Sequence, residues 1–510
     1  MPERPHILLV VVDQLSALFL RAYGHEVTRT PTIDRLAEDG VLFENAYCPS
    51  PLCAPARAAL MTGGLPSRTG VYDNSAEFPA WIPTFAHVLR LEGYRTCLAG
   101  KMHFVGPDQL HGFEERLTTD VYPGDFGWTP DWSRPGERVA WWYHDMSSVQ
   151  EAGIAEITNQ LEFDDEVAFH AMRRLFDYAR FERDVPLCLC VSFSHPHDPY
   201  VARRRYWELF ADDEIDAPAA PAKPYDELDA HERRLWHASA MDEAAVTEDD
   251  VRAARHGYYA NLAYVDERIG EVLDALDASG LAEDTVTIFL SDHGDFLGEH
   301  GLFYKMSFRE HPVHVPFVVH APGRYAARRV REPVSLADLM PTLAELARPG
   351  LADDLSRPVD GRSLVHLLEG ATEDEAVSVL GEYLAEGVLG PMVMIRRGRW
   401  KFISTASDPD QLFDLEADPL ELHDLGSDAA VQDVVAEFRA EVAERWDLEA
   451  LERSVRESQQ ARLAVFRALQ QGHVHPWDFQ PSRASATQYT RNTMDVAGRD
   501  RLSRFPPLPS

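Results

Sequence analysis

Only five of the 510 residues are cysteine: Cys48, Cys53, Cys97, Cys188 and Cys190. An odd and scattered set makes no disulfide framework. Cys188 and Cys190 alternate along one apolar run, where they share a face without being placed to bond. No disulfides and a reducing, cytoplasmic setting are therefore expected. No apolar stretch is long enough to span a bilayer, and no signal-peptide pattern is visible, so no membrane role is expected. Basic residues are scarce, 49 against 84 acidic, for a net charge of −35. That argues against nucleic acid as a partner. It also means that any anionic ligand needs a local cluster of Lys, Arg, His or metal to overcome the global field. Internal repeats and low-complexity tracts are lacking as well.

What is present is apolar sequence enough for a sizeable core, 45% of residues, in a chain too long for one ordinary domain. His6 to Val12 is a continuous apolar run ending in Asp13-Gln14, the mark of a strand buried on both faces of a parallel sheet. Similar strands are read at 41–47, 95–99, 186–194, 285–290 and 316–320. Helices are read at 32–39, 84–92, 167–180, 248–279 and 336–347, which makes an alternating α/β pattern. Residues 107–160 form a long, aromatic, irregular excursion. Beyond about residue 370 the pattern changes to short strands at 377–384, 392–395, 400–404 and 411–415, an expected antiparallel sheet. Helix is read from 431 to 471, then an irregular tail. The predicted organisation is a catalytic α/β domain at 1–370 built on a large, mostly parallel mixed sheet flanked by helices. A smaller α+β subdomain at 371–471 and an extended tail at 472–510 follow.

The stretch Ser50 to Gly63 carries the chemistry. Pro55 suits a first helical turn and Gly63 a helix end, so Cys53 is expected at a helix N-terminus, where negative charge is favoured. Arg57 lies four residues on, on the same face. This suits a nucleophile attacking an anionic ester. The plainer reading is a small buried cysteine beside a surface arginine.

Six polar clusters fall at or just beyond predicted strand ends: Asp13-Gln14, Cys53 to Arg57, Lys101 to His103, His195, Asp292-His293 and Lys305. Singly, each has a structural explanation, such as an Asp capping a helix. Their recurrence matters, because an open α/β sheet gathers strand ends and the ligand sits there.

Cys53-Ala54-Pro55-Ala56-Arg57 resembles the Cys-x-Pro-x-Arg signature of sulfatases in the alkaline phosphatase superfamily. The resemblance implies that Cys53 is oxidised to formylglycine by a formylglycine-generating enzyme. It further implies a hydrated aldehyde that attacks sulfur to give a covalent sulfo-enzyme. It assigns Asp13, Asp292 and His293, with residue 53 and with Gln14 as a further candidate, to one divalent cation. Many sulfatases carry Asp-Asp and Asp-Asn where this chain has Asp13-Gln14 and Asp292-His293; choline sulfatases and phosphonate monoester hydrolases share the departure. The family implies Ca²⁺, while a histidine ligand leans toward Mn²⁺. Arg57 would orient residue 53, and Lys101, His195 and Lys305 would hold the sulfate and the bridging oxygen. His195 or Lys305 is the candidate acid. The resemblance makes His103 the group that lets the aldehyde re-form. Asn74 is a further candidate donor.

Residues 100–117, 125–131, 141–144 and 410–415 are similar to choline sulfatases, and the resemblance runs through the tail. A trimethylammonium group prefers an aromatic cage closed by a carboxylate. Trp128, Trp141, Trp142, Tyr143 and His144 are candidates for the cage, and Glu382 and Glu386 for the anion. The family implies a tail that reaches a neighbouring subunit, with Asn492 and Asp495 as its polar candidates, and a homo-oligomer, expected to be a tetramer. The expected reaction is hydrolysis of choline-O-sulfate. The rivals are a phosphonate or phosphate diester hydrolase, an arylsulfatase, and a non-catalytic choline-binding protein.

Overall fold

The computed structural model describes residues 4–122, 125–139, 144–374 and 376–472. The chain divides into two compact units, residues 1–467 and 468–510. The fold described here is that of the first.

The main sheet has eight strands: β1 (His6–Asp13), β2 (Val41–Phe43), β3 (Arg95–Gly100), β4 (Glu115–Arg116), β5 (Leu187–Pro196), β6 (Thr285–Ser291), β7 (Phe317–His320) and β8 (Arg328–Val330). Their order is β8-β2-β7-β6-β1-β5-β3-β4. The centre, β6-β1-β5-β3-β4, is parallel, and β7 enters antiparallel between β6 and β2. β1 is buried along almost its whole length, as its unbroken Ile-Leu-Leu-Val-Val-Val run requires of a central strand covered on both faces. Helices α1 (Cys53–Thr62), α2 (Asn159–Phe181) and α3 (Glu248–Ala278) follow in chain order. The 31-residue α3 opens on a capping box from Thr247 and Asp250 and buries Leu262, Val265, Ile269, Val272 and Leu276. Each expected strand and helix region is occupied, with shifted ends.

Three differences have plain causes. The expected strand at 41–47 is two: β2 belongs to the main sheet, whereas Ala46–Tyr47 pairs with Val334–Ser335 in a separate small sheet. α2 starts eight residues before the expected Val167 because Thr158 caps it by accepting from Leu161 N. The expected helix at 431–471 is two, α4 (Gln432–Arg445) and α5 (Leu448–Leu469). Trp446 turns extended between them and donates from Nε1 to Glu382 at 2.8 Å, and Asp447 caps the second helix through Ala450 N.

A separate antiparallel sheet, β9 (Val379–Tyr383), β10 (Met392–Arg397), β11 (Trp400–Thr405) and β12 (Gln411–Asp414), forms as the short alternating runs predict. Phe402, Leu412, Val435 and Phe438 join it to α4 in a small second core. All five cysteines are free and buried. No helix among the described residues is long and apolar enough to cross a membrane.

Candidate active site

Register brings the chemistry together. Val12 pairs with Ser291, Asp13 with Pro196 after a bulge, and Gly100 with Ser192, so the carboxyl ends of β1, β3, β5 and β6 lie side by side. Gly100, with φ of +114°, is required here, since a Cβ would lie 1.9 Å from the Ser192 carbonyl oxygen. That close approach aims Lys101 across the strand ends. Gln14 and His103, with φ of 64° and 55°, hold left-handed backbone that few non-glycine residues adopt, and both sit at the site.

Cys53 opens α1, whose ten residues are all buried. Its Sγ lies 3.1 Å from His293 Nε2, 3.5 Å from Lys305 Nζ, 3.8 Å from Lys101 Nζ and 3.9 Å from Asp13 Oδ1. Burial opposes ionisation, but Lys101, Lys305 and His293 together hold the thiol well below its ordinary range. Positive potential is thus concentrated where residue 53 carries its reactive atom. In a formylglycine, the gem-diol oxygens would stand in place of Sγ.

Arg57 organises the floor. Its Nε donates to Asp292 Oδ2 at 2.8 Å, and its other nitrogens donate to Asp13 Oδ2 at 3.3 Å, Lys101 O at 2.6 Å and Ser192 Oγ at 2.9 Å. The plainer reading, a surface arginine, fails: Arg57 is 1% exposed and bridges both carboxylates. Lys101 also ion-pairs with Asp13. Despite burial, Lys101 and Arg57 keep the Asp13 carboxyl below its usual range. Burial would discharge His293, yet Asp292 raises its basicity.

The donor atoms of Asp13, Cys53, Asp292 and His293 lie within 4.8 Å of one another. Two carboxylates and an imidazole, all buried, fit one divalent cation. Gln14 Oε1 accepts from Lys305 at 2.5 Å, and its Nε2 donates to Asp295 at 2.6 Å and Asp198 at 3.2 Å.

The other expected residues divide into those at the site and those elsewhere. Asn74 is there: its Oδ1 accepts from Ala54 N at 2.9 Å, and its carbonyl oxygen lies 3.1 Å from His103 Nε2. Trp128 meets the His103 ring edge-on at 5.9 Å, and His144 stacks on Tyr304 at 4.4 Å and on His197 at 5.8 Å. Burial and the charge of Lys305 keep His144 neutral, with its pKa pushed down to about 4.

His195 is anchored by Asp164, and its Nε2 is buried with no hydrogen-bond partner. Its Nδ1 lies 2.6 Å from Asp164 Oδ2, which also accepts from its backbone N, and its ring packs on Tyr264. The histidine beside Lys305 is His197, with Nε2 2.9 Å from Nζ. Tyr122 and Asp198 surround His197, and Lys101 sits over the Tyr122 ring at 4.3 Å. His144, His197 and Asp198 also cluster as metal-ligand types do. The Lys305 ammonium lies against that group through His197.

Glu382 is occupied as well: its carboxylate accepts from Ser67 N and Oγ at 2.7 Å each and from Trp446. Glu386 is different. Its Oε1 is buried with no hydrogen-bond partner, and burial pushes its carboxyl up to about 8. It lines a cavity of about 360 Å³ with Pro130, Trp132, Arg234 and Leu389. Trp141, Trp142, Tyr143, Asn492 and Asp495 lie outside the described residues.

Comparison with known proteins agrees with this geometry. The sulfatase family model matches residues 5–349. The C-terminal model of N-sulphoglucosamine sulphohydrolase matches 298–447, and that of choline sulfatase matches 453–505. A choline-sulfatase of Rhizobium meliloti (strain 1021) is 48% identical over 510 residues, 99% of each chain. A multifunctional alkaline phosphatase superfamily protein of Trinickia caryophylli is 28% identical, over 89% of this chain and 97% of its own. Among solved structures, a phosphonate monoester hydrolase of Agrobacterium radiobacter superposes with a TM-score of 0.69 at 26% identity, covering 88% of this chain and 96% of that one.

Proposed function

The chain belongs to the sulfatase family, and on that premise we propose that it hydrolyses choline-O-sulfate to choline and sulfate. What supports this substrate is the 48% identity with a choline-sulfatase over nearly the whole chain, together with a cationic bowl around Cys53 bordered by the rings of Trp128, against His103, and His144, against His197.

In the family the nucleophile is formylglycine, and here it would be made from Cys53 by a formylglycine-generating enzyme. Asp13, Asp292 and His293 would hold the divalent cation, taken as Ca²⁺ with Mn²⁺ as the alternative, which polarises the sulfuryl group when bound. Arg57 orients residue 53 through the fixed carboxylates and offsets their charge. Lys101 and Lys305 hold the sulfuryl oxygens, where negative charge grows in the transition state. The ester C–O–S bridge breaks at sulfur, so the departing alkoxide needs a proton. Lys305, hydrogen-bonded to His197, supplies it. His103, held by the Asn74 carbonyl, takes the proton whose removal re-forms the aldehyde and releases sulfate. Trp128 and His144 face the quaternary ammonium, and Glu386 would supply an anion to it only once its raised carboxyl is deprotonated, toward pH 8. The tail, with Asn492 and Asp495, is assigned to a neighbouring subunit of a homotetramer, which light scattering of the full chain and of a chain ending before Gly472 would measure.

The test is a mass spectrum of the peptide containing residue 53, combined with sulfate release by Cys53→Ala. We expect a formylglycine mass, and at least a 10³-fold loss in a folded variant. An unmodified cysteine in an active enzyme would reject the mechanism, and faster turnover of a phosphonate ester would favour the rival hydrolase.

A further inference from the structure

Helix α5 lies far from the sheet in sequence, yet one face of it is buried against the site. Gln459 and Arg462 are 1% and 6% exposed. Gln459 Oε1 accepts from Trp132 N at 3.1 Å. Arg462 donates from both terminal nitrogens to the two oxygens of Asp73, each at 2.7 Å, and from NH1 to Thr129 Oγ1 at 3.2 Å. Asp73 is wholly buried, so this is a desolvated bidentate ion pair rather than a surface contact. Thr129 Oγ1 is also 2.7 Å from Ser75 Oγ, and Phe466 fills the space against Gly127.

These contacts close a ring. Arg462 holds Asp73, the neighbour of Asn74. The Asn74 carbonyl oxygen holds His103, and the His103 ring meets Trp128. Trp128 precedes Thr129, which returns to Arg462. The sulfate end and the ammonium end of the site are thereby tied to one guanidinium. Arg462 lies in the C-terminal stretch matched by the choline sulfatase model, outside the segment shared with sulfatases at large.

We propose that Arg462 is a positioning residue that sets the spacing between Trp128 and the His103–Asn74 pair, and so sets selectivity for a substrate whose cation stands a fixed distance from its sulfate. This rests on the ammonium reading above. Arg462 touches no reacting atom. It acts because its planar fork spans Asp73 and Thr129 at once, which a lysine cannot do.

The experiment compares kcat/KM for choline sulfate with that for its neutral isostere, 3,3-dimethylbutyl sulfate, in the full-length, formylglycine-bearing enzyme. The paired replacement Asp73→Asn with Arg462→Gln avoids stranding a buried charge, and Thr129→Val cuts the arm toward Trp128, together with the Ser75 Oγ contact, with almost no change in shape. We expect the wild-type preference for choline sulfate to fall at least tenfold in the paired variant and several-fold in Thr129→Val. Combining the changes should cost less than the product of the separate losses. Unchanged preference in folded Thr129→Val enzyme, or equal losses on both substrates, would overturn the proposal. Absence of any preference in the wild-type enzyme would instead reject the ammonium reading, and with it the basis for selectivity here.

Discussion

His195 and His197 stand two residues apart in Ser-His-Pro-His-Asp-Pro, and period-two alternation would put both on one face of a continuing strand. β5 ends at Pro196, so the alternation stops between them. The fold sets the second beside Lys305, a placement the sequence alone does not announce. His197→Ala should lower kcat by roughly 10²–10⁴, the usual span for a positioned proton-transfer group. His195→Ala should also lower the melting temperature, because Asp164 loses its ring partner inside the core, at a cost of about 1–3 kcal/mol. Steady-state kinetics beside thermal melts separate the two. The carboxylates Glu382 and Glu386 were ambiguous for a similar reason: nothing in the sequence says that Ser67 and Trp446 saturate the first and leave an oxygen of the second unpaired. Glu386 is protonated in the fold up to about pH 8 and ionised above about 4.5 when unfolded, so the native state binds the extra proton in that window. Its contribution to stability is present below pH 4.5 and fades as pH rises through 8. Glu386→Gln should therefore melt above wild type near pH 8, with the gap closing near pH 5. Its KM for choline sulfate should fall less between pH 6 and 8 than that of wild type.

At the scale of elements, the strand ends were legible, because continuous apolar runs stopped at polar residues and open α/β sheets gather such ends. Cys53 at a helix start was legible too, from Pro55 and Gly63. What the sequence could not convey was which elements cap each other across long separations. Asp266, inside α3, accepts from Thr32 N at 3.1 Å and Ile33 N at 2.8 Å, at the start of the helix Pro31–Asp39. One helix thus satisfies the open end of another more than 200 residues away, a pairing that no local capping signal announces. Asp266→Ala should destabilise the protein by about 1–3 kcal/mol through two stranded donors, with kcat of the folded fraction unchanged. Denaturant unfolding with parallel kinetics would show it. The face that α5 presents to Asp73 and Thr129 was likewise invisible, since Gln459 and Arg462 read locally as ordinary polar helix residues.

For the molecule as a whole, a charge of −35 surrounds a bowl that concentrates positive potential. A zwitterion such as choline sulfate carries no net charge and approaches without a long-range penalty, whereas an anionic aryl sulfate is repelled until it enters the bowl. Added salt screens charges separated by more than a Debye length, about 10 Å at 0.1 M, and leaves the buried contacts largely intact. Raising ionic strength from about 0.02 to 0.2 M should therefore raise kcat/KM for an aryl sulfate several-fold and leave that for choline sulfate nearly flat; stopped assays in neutral salts would measure both.

The burial of α1 carries a consequence for when the enzyme is made. Cys53 is 1% exposed, and its wholly buried helix packs on elements that follow it, among them the helices Pro66–Thr69 and Leu339–Ala347. Lys305, which closes over it, is synthesised some 250 residues later. An enzyme that oxidised Cys53 and had to grip the residues around it would find them only while the nascent polypeptide is still open. If Cys53 is converted as proposed above, conversion and folding compete on one clock: a chain that folded before oxidation would be sealed as an inactive product, and slower translation between residues 53 and 305 would raise the active fraction without altering a single contact in the finished protein.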